Sequence, residues 1–320
     1  MYLIGDLHIT AKEPYRSALD LAMSDIIKNI EEDESLIFVG DFFHTGHPVP
    51  SEISMARNFL ERLRVQTKKI FILAGNHDFS FKGGKEECAL DTIEDMATIV
   101  KDPQELNGIH FLPFFYRKEG KSIYDWYTPE YLSTIKSPVT IGHFFSDDLG
   151  DFSEDLKKNM KHVDLSSIRN KTRIVLGHDH TPRGEYIGSV IPLEFSPDYP
   201  DRYMIRLTDT NCEYIKLQRT INFKVIQDTD LENLKSDIPM FVKVFTESRG
   251  TYEELRAKPF LKKNIWLHSV MFVDKKDDAV IESDEEFENA TDYDKMVKFL
   301  NEKGKDIPEN VQARLLEVMR

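Results

Sequence analysis

Short apolar segments alternate with helical patterns through the first quarter of the chain. Apolar residues recur at helical spacing over residues 14–30 and again over 51–63, where Ser51 is the predicted N-cap. Each helical pattern lies between two segments whose apolar runs are typical of buried parallel strands, at residues 2–5, 36–39 and 68–74. This alternation predicts a βαβαβ arrangement with a parallel sheet.

The pattern becomes less regular beyond residue 85. It predicts a helix over residues 86–96, a strand over 109–115, and an aromatic loop or short helix over 126–131. Two further short strands are predicted at 139–141 and 174–176. Four later segments are predicted to form strands of a second sheet layer, at residues 186–191, 203–207, 213–217 and 223–226.

The pattern of predicted strands and helices changes after about residue 226. Residues 241–245 and 265–273 are predicted strands on either side of a helix at 252–261, which indicates a small α/β second domain. From Asp274 to Asp294 there are ten acidic residues against two lysines, as expected of a solvated linker. Short amphipathic helices are predicted at 296–300 and 311–319. The predicted domains are therefore residues 1–226, 227–285 and 286–320.

Composition narrows the class of protein. The chain has 320 residues, 40% of them hydrophobic and 31% charged, which is typical of a globular protein. No apolar run approaches the roughly 18 residues that a membrane span needs, and Asp6 comes too early for a signal peptide. With only two cysteines, a reducing, cytoplasmic location is expected. The net charge of −14 argues against a protein that simply coats nucleic acid, although not against an enzyme with a metal-loaded cleft.

The predicted strands share one kind of ending. Each runs into polar residues that can bind a metal or move a proton, and a glycine often precedes them. Any one such ending is more often ordinary turn chemistry, and a lone Asp-x-His or Asn-His-Asp carries little weight. Five in order carry much more, because the carboxyl ends of parallel strands face the ligand crevice of an α/β sheet. The candidate ligands are Asp6, His8, Asp41, Asn76, His143, His178 and His180.

These seven residues suit a pair of divalent cations. A two-metal hydrolase holds its cations about 3.5–4 Å apart and clamps the attacking and leaving oxygens between them. Three oxygen donors and four imidazoles are enough for two such ions that share one carboxylate, and the mixture favours Mn²⁺, Fe²⁺ or Zn²⁺ over Mg²⁺. Beside Asn76, His77 is a candidate proton donor and Asp78 a candidate group to orient it.

The order of these motifs resembles that of the calcineurin-like metallophosphoesterases. Within them the chain is similar to the SbcD-type recombination nucleases, the meiotic-recombination-eleven family, in its segment 40–44 with Pro48 and Pro50 downstream. Residues 187–189, 193–196 and 202–203 also resemble that family. The motifs cover residues 1 to about 206. The short chain is expected of a phage-encoded member. The implied fold is an α/β two-sheet sandwich flanked by helices, with a small α/β capping domain at 227–285 and C-terminal helices.

The resemblance also implies roles for individual residues. Asp6, His8, Asp41 and His180 would hold one metal, and Asp41, Asn76, His143 and His178 the other, with Mn²⁺ the expected ion. His77 would be the general acid that protonates the leaving 3′ oxygen. His44 would contact the phosphodiester and matter mainly for exonuclease action. His47, in the same loop, matches no ligand position and is expected to be a surface residue.

The implied function is that of a DNA nuclease: a double-strand exonuclease, expected to run 3′–5′, and a single-strand endonuclease acting in recombination, repair or replication. The implied partners are DNA, a second copy bound through the N-terminal helices, and an SbcC-type ABC ATPase bound through the C-terminal helices; no membrane partner is expected. Because the C-terminal portion is short, the details of that docking stay open. A phosphomonoesterase or small-molecule phosphodiesterase would use the same ligands, and a scaffold without catalysis is a further alternative.

Overall fold

The computed structural model describes residues 1–82, 85–147, 161–195, 200–208, 211–218, 221–237, 239–257, 260–273 and 280–281. Between Asn222 and Phe223 the chain divides into two compact units. Among the helices of the described residues, none has the length and apolar character needed to cross a membrane. The predicted boundary after residue 226 lies close to this division, while the boundary after residue 285 falls outside the described residues.

A six-stranded sheet forms one layer of the first unit, in the order β12-β11-β1-β2-β3-β6. Its strands are β1 (Tyr2–Ile4), β2 (Glu34–Phe38), β3 (Thr67–Leu73), β6 (Thr98–Val100), β11 (Tyr203–Leu207) and β12 (Cys212–Lys216). The first four are parallel, whereas β11 and β12 pair antiparallel. The predicted βαβαβ start is therefore confirmed. The prediction that 203–207 and 213–217 belong to a second layer is wrong, because β11 pairs with β1.

Two helices connect the first three strands. They are α1 (Tyr15–Asn29) and α2 (Pro50–Arg64), and each buries one apolar face. The ring of Phe59 on α2 lies 6.0 Å from that of Phe38 on β2. The predicted cap Ser51 is wrong: Val49 is the N-cap, and its N–H donates to the Glu52 carboxylate at 2.9 Å. Pro50 has no N–H to cap, so the helix begins two residues earlier than a cap at Ser51 predicts.

A four-stranded sheet forms the other layer, in the order β10-β9-β8-β7. Its strands are β7 (Gln104–Leu106), β8 (Ile109–Leu112), β9 (Val139–His143) and β10 (Arg173–Gly177), and the last three are parallel. Apolar side chains from both sheets make one buried cluster that includes Leu3, Ile37, Phe71, Phe111, Ile141, Val175 and Ile205. The α/β sandwich expected from the resemblance is thus confirmed. On the other side of this sheet, α3 (Ile123–Trp126) and α4 (Pro129–Ser133) cover a second apolar cluster.

The helix predicted over 86–96 is wrong. Residues Phe79–Lys82 (β4) and Lys85–Cys88 (β5) pair as an antiparallel hairpin, and a 3₁₀ helix follows at Ala89–Ile93. Pairing with β4 satisfies the backbone of this segment and overrides its local helical pattern. The strand predicted at 186–191 is also wrong, since its pairing within the described residues consists of two isolated bridges at Tyr186, to Leu176 and Arg183.

The second unit has its own sheet and core. Its strands are β13 (Asn222–Gln227), β14 (Met240–Thr246), β15 (Phe260–Lys262), β16 (Ile265–Val273) and β17 (Val280–Ile281). The helix α5 (Arg249–Arg256) ends earlier than predicted, because residues 260–262 pair with β16 instead. The strand predicted at 223–226 therefore lies in this sheet, not in the sandwich. Apart from residues 280–281, the predicted acidic linker and C-terminal helices lie outside the described residues.

Candidate metal centre

The candidate ligands lie where five parallel strands of the two sheets end. Asp6 and His8 follow β1, Asp41 follows β2, and Asn76 begins a 3₁₀ turn after β3. In the opposite sheet, His143 ends β9, and His178 and His180 follow β10. Because the strands of each set run in the same direction, their carboxyl ends open onto one edge of the sandwich. All seven candidate ligands are brought together there.

The loops that carry these residues have unusual backbone conformations. His8, Asp41 and His178 have φ values of 49°, 42° and 88°, in the left-handed region that residues other than glycine rarely adopt. The N–H groups of Leu7 and His8 both donate to the carbonyl of Asp41, at 3.1 and 2.9 Å. Such conformations persist only where the surroundings impose them, and they are common at functional sites.

Two glycines let the strands approach each other closely at this edge. A Cβ on Gly40, whose φ is 95°, would lie 1.9 Å from Nδ1 of His143. A Cβ on Gly177 would lie 2.1 Å from the Val39 carbonyl and 2.5 Å from Oδ1 of Asp6. The glycines that precede the ligands in the sequence are therefore required by packing as well as by the turn.

The first group of candidate ligands comprises Asp6, His8, Asp41 and His180, whose ligand atoms lie within 4.8 Å of one another. Nε2 of His8 lies 3.1 Å from Nε2 of His180 and 3.5 Å from Oδ2 of Asp41. Nε2 of His180 lies 3.9 Å from Oδ2 of Asp6. Four nitrogen and oxygen atoms therefore converge on one small volume.

The second group is built around the same Asp41 oxygen. Nε2 of His143 lies 3.2 Å from Oδ2 of Asp41 and 3.1 Å from Oδ1 of Asn76. Nδ1 of His178 lies 2.8 Å from the same Asn76 oxygen. On its other side, the His143 ring places Nδ1 2.9 Å from the Val39 carbonyl. That contact directs Nε2 into the site, as carbonyl partners commonly do for metal-binding histidines.

Burial controls the charge of most of the imidazoles. It lowers the pKa of His8 well below the usual range, that of His178 to about 3 and that of His180 to about 4. These three rings are therefore neutral near pH 7, which is the form that binds metal. At His143 burial opposes charging, but the Asp41 carboxylate outweighs it and raises the pKa to about 9.

Burial acts to raise the pKa of both carboxylates, but the net shifts have opposite directions. For Asp6, burial dominates and raises the pKa well above the usual range. For Asp41, burial also acts to raise the pKa, but the charge and hydrogen bond of His143, together with the charges of His8 and His77, outweigh it and hold the pKa below the usual range.

Unpartnered buried atoms test whether divalent cations fit this site. Within the described part of the chain, Oδ1 of Asp6 is fully buried and accepts no hydrogen bond, and the groups that face the buried Oδ2 of Asp41 include imidazole nitrogens of His8 and His143 at 3.5 and 3.2 Å. A buried carboxylate oxygen without a donor is costly, and a bound cation would satisfy it. The donor set of carboxylate, amide and imidazole atoms suits Mn²⁺, Fe²⁺ or Zn²⁺. The residues therefore fit two cations that share Asp41.

His77 and His44 lie beside these groups. The backbone N–H of His77 donates to Oδ1 of Asp41 at 2.8 Å, and Nδ1 of its ring lies 2.9 Å from the His44 carbonyl. The His44 and His77 rings stack with centroids 5.9 Å apart and planes 23° apart. The His44 carbonyl, and not Asp78 as expected, orients the His77 ring. With His8, these two histidines form a third cluster of potential ligands.

Asp78 braces the loops instead. Its buried carboxylate accepts the N–H groups of Phe43 and Gly75, both at 2.9 Å, and so ties the loop after β2 to the loop after β3. Burial, followed by the charge of Asp41, raises its pKa to about 7. A second brace was not anticipated from the sequence: Arg202, buried just before β11, donates to the carbonyl of His180. The resemblance singled out residues 202–203, but it did not indicate the carbonyl to which Arg202 donates.

One histidine of the same loop is not part of the centre. The His47 side chain is 55% exposed, and its Nδ1 lies 3.4 Å from Oγ of Ser80 and 4.0 Å from the Glu87 carboxylate. This agrees with its expected position at the surface.

The chain is similar in sequence to a known protein family. The calcineurin-like phosphoesterase family profile matches residues 1–208. A curated relative, the SbcD component of the SbcCD nuclease of Staphylococcus epidermidis, is 24% identical over 204 residues, which cover 52% of this chain and 53% of the relative. The chain thus spans about half the length of the curated relative that it matches. The family match covers every candidate ligand and all strands of the sandwich except β12, and on that basis the chain belongs to the calcineurin-like phosphoesterases.

Proposed function

We propose that this phosphoesterase is a two-metal DNA nuclease. It hydrolyses phosphodiester bonds as a double-strand exonuclease, in the 3′–5′ direction, and as a single-strand endonuclease. The observation that carries the proposal is the shared carboxylate: Oδ2 of Asp41 lies 3.5 Å from Nε2 of His8 and 3.2 Å from Nε2 of His143. One carboxylate between two sets of ligands is the arrangement that a two-metal hydrolase needs.

Seven residues would hold the two cations, for which Mn²⁺ is the best match. One set is Asp6, His8, Asp41 and His180, and the other is Asp41, Asn76, His143 and His178. When bound, the cations supply Lewis acidity and lower the pKa of a water molecule that can then attack phosphorus.

His77 is the proposed general acid. Its Nδ1 lies 2.9 Å from the His44 carbonyl, to which it donates, so Nε2 is the atom left to give a proton to the departing 3′ oxygen. Its backbone N–H holds Asp41, which fixes the acid relative to the metal ligands. The half-buried His44 ring, stacked on that of His77, is placed to contact the phosphodiester. These contacts support His77 as a general acid, because they hold the ring in place without making it a metal ligand.

DNA is the proposed substrate because the relative found is a component of a nuclease. By the same likeness we propose an SbcC-type ABC ATPase as a partner, a homodimer formed through α1 and α2, a role in recombination, repair or replication, and a cytoplasmic location. A phage origin stays a prediction, since neither comparison bears on it. The principal alternative is a phosphomonoesterase or small-molecule phosphodiesterase, because the same ligands serve those reactions; a non-catalytic scaffold is less favoured by an intact ligand set.

The test compares substrates on one metal-stripped preparation. End-labelled duplex DNA, single-stranded circular DNA and p-nitrophenyl phosphate are each incubated with Mn²⁺, with Mg²⁺ or with chelator. The proposal expects Mn²⁺-dependent cutting of both DNAs, no cutting after chelation, and loss of cutting in Asp41→Asn. His47→Ala is the matched control, because that exposed histidine lies outside the centre. Turnover of p-nitrophenyl phosphate without any cutting of DNA would instead favour the phosphomonoesterase.

A further inference from the structure

An exposed aromatic ring lies on the hairpin that follows the candidate centre. Phe81, on β4, is 54% exposed. Within the described residues, the other large hydrophobic side chains with comparable exposure are Val49, Val65 and Tyr214. Exposure of a phenyl ring to water is unfavourable, and this ring lies on the hairpin that directly follows the candidate acid loop.

Phe81 belongs to a cluster of four aromatic rings. Its centroid lies 4.9 Å from that of Tyr116, which in turn lies 5.0 Å from Phe114 and 6.3 Å from Phe79. Tyr116 and Phe114 are half-buried, while Phe79 is buried. The two inner rings therefore support the two outer ones, and Phe81 with Tyr116 presents a fixed aromatic surface to solvent.

The four-ring cluster is connected directly to the loop after β3, which carries the candidate ligand Asn76 and the candidate acid His77. The turn Asn76–Asp78 leads straight into β4, so Phe81 comes three residues after Asp78, or about 10 Å along an extended strand. Phe114 is tied to the end of β3, because its N–H donates to the Ala74 carbonyl at 2.9 Å. After burial and Glu86, the charge of Asp41 also contributes to raising the pKa of Tyr116. On a DNA strand, about 10 Å corresponds to roughly three nucleotide steps of 3.4 Å.

The chemistry of this surface favours a nucleobase over a phosphate. Glu86 and Glu87 on β5 balance Arg117 and Lys118 after Tyr116, so the residues beside the rings carry no net positive charge to attract the DNA backbone. Every base has an aromatic face, and stacking on protein rings is a common means of holding unpaired bases. One exposed ring and one half-exposed ring match the size of one base. They are much smaller than the roughly 800 Å² that each partner buries in a stable protein interface.

We propose that the Phe81–Tyr116 surface stacks on an unpaired base of the DNA strand that is being cut. This inference rests on the proposed nuclease function and adds how the substrate is held. Stacking on a base near the scissile phosphate favours frayed duplex ends and single strands, because a paired base has no free face within the duplex. The surface therefore positions the strand and does not take part in the chemical step.

The test is a cycle of two substrates and several variants. The substrates are duplexes with a 3′ tail of four unpaired nucleotides, the innermost of which carries either 2-aminopurine or no base. Affinities are measured in chelator, so that no strand is cut, for wild type, Phe81→Ala, Phe81→Trp and Tyr214→Ala. Tyr214 is the matched control, since it is an aromatic residue that is likewise 54% exposed. It lies on β12, an edge strand of the six-stranded sheet, and not on the hairpin. Initial rates with Mn²⁺ are then measured on the same duplexes.

Stacking predicts that Phe81→Ala weakens binding of the 2-aminopurine duplex by roughly 5- to 150-fold and leaves the abasic duplex unchanged. Quenching of 2-aminopurine fluorescence on binding is expected for wild type and Phe81→Trp, but not for Phe81→Ala. An equal loss on both duplexes, or no loss on either, would overturn the stacking surface. Wild-type protein that shows the base-dependent affinity yet cuts neither duplex would support the surface and overturn the nuclease function.

Discussion

Replacing His77 by alanine separates proton donation from metal binding. The ring contributes one hydrogen bond to the fold, from Nδ1 to the His44 carbonyl at 2.9 Å, so its loss costs about 1 kcal/mol of stability. The backbone N–H of residue 77 still donates to Asp41, and the two ligand groups that share Asp41 do not include this ring. Both metals should therefore bind as in wild type.

The expected effect on turnover depends on the leaving group. A 3′ alkoxide needs a proton, and a positioned acid is typically worth about 10²- to 10⁴-fold, or roughly 3 to 5 kcal/mol of activation free energy. The nitrophenolate of bis(p-nitrophenyl) phosphate is a stable anion that leaves without a proton. His77→Ala should thus lose about 10²- to 10⁴-fold in kcat on DNA but little on the nitrophenyl ester.

The assay measures kcat for both substrates at saturating Mn²⁺, together with metal content by isothermal titration calorimetry. His47→Ala is the control variant. It removes an exposed histidine from the neighbouring loop and should leave metal binding and kcat unchanged. An equal loss of kcat on both substrates would refute the role as an acid. A loss of one metal would instead place His77 in a coordination shell, as its cluster with His8 and His44 would allow.

The remaining predictions concern the metals and the packing around them. Calorimetry should find that Asp41→Asn loses both Mn²⁺ ions, whereas Asp6→Asn weakens mainly one; two ions bound to Asp41→Asn would contradict a shared carboxylate. Mn²⁺ at a hundred times its Kd should stabilise wild type by about 2.7 kcal/mol for each ion bound, seen as a rise in Tm that chelator reverses and that Asp41→Asn lacks. Gly177→Ala should destabilise the metal-free protein by about 1–3 kcal/mol in urea unfolding, since the new Cβ would meet the Val39 carbonyl. Unchanged stability and metal affinity in that variant would mean that the strands do not need to approach so closely.

The residues of the candidate site could be predicted because the signal is local. Each strand ends in a glycine or an apolar residue followed by a metal-ligand type, as in Gly40-Asp41 and Gly177-His178, and parallel pairing brings such ends to one edge. The left-handed φ of Asp41 and His178 could not be read from residue types, because neither aspartate nor histidine requires it. The oxygen shared between the two groups is likewise visible only once the strands are placed together.

The hairpin of residues 79–88 shows why parts of the fold were predicted wrongly. Residues 86–96 contain apolar positions at helical spacing, yet β5 pairs with β4, which directly follows the candidate acid loop. That pairing exposes Phe81 and supports Tyr116, so the error of secondary structure also hid the aromatic surface. Similarly, β11 was assigned to the wrong layer because its partner β1 is about 200 residues away in the sequence. Long-range pairing leaves no trace in a local pattern.

Asp41 is the residue that does most to hold the centre together. Asp41 accepts the N–H groups of Leu7 and His8 with its carbonyl and that of His77 with Oδ1, while Oδ2 faces His8 and His143. The loops after β1 and β3 are thus fixed to the same residue that both ligand groups share. A displacement of either loop must move Asp41, and with it the ligands of both groups and the proposed acid. Catalysis that depends on relative placement requires this kind of coupling, because errors of about 1 Å between reacting groups can cost about 10²-fold in rate.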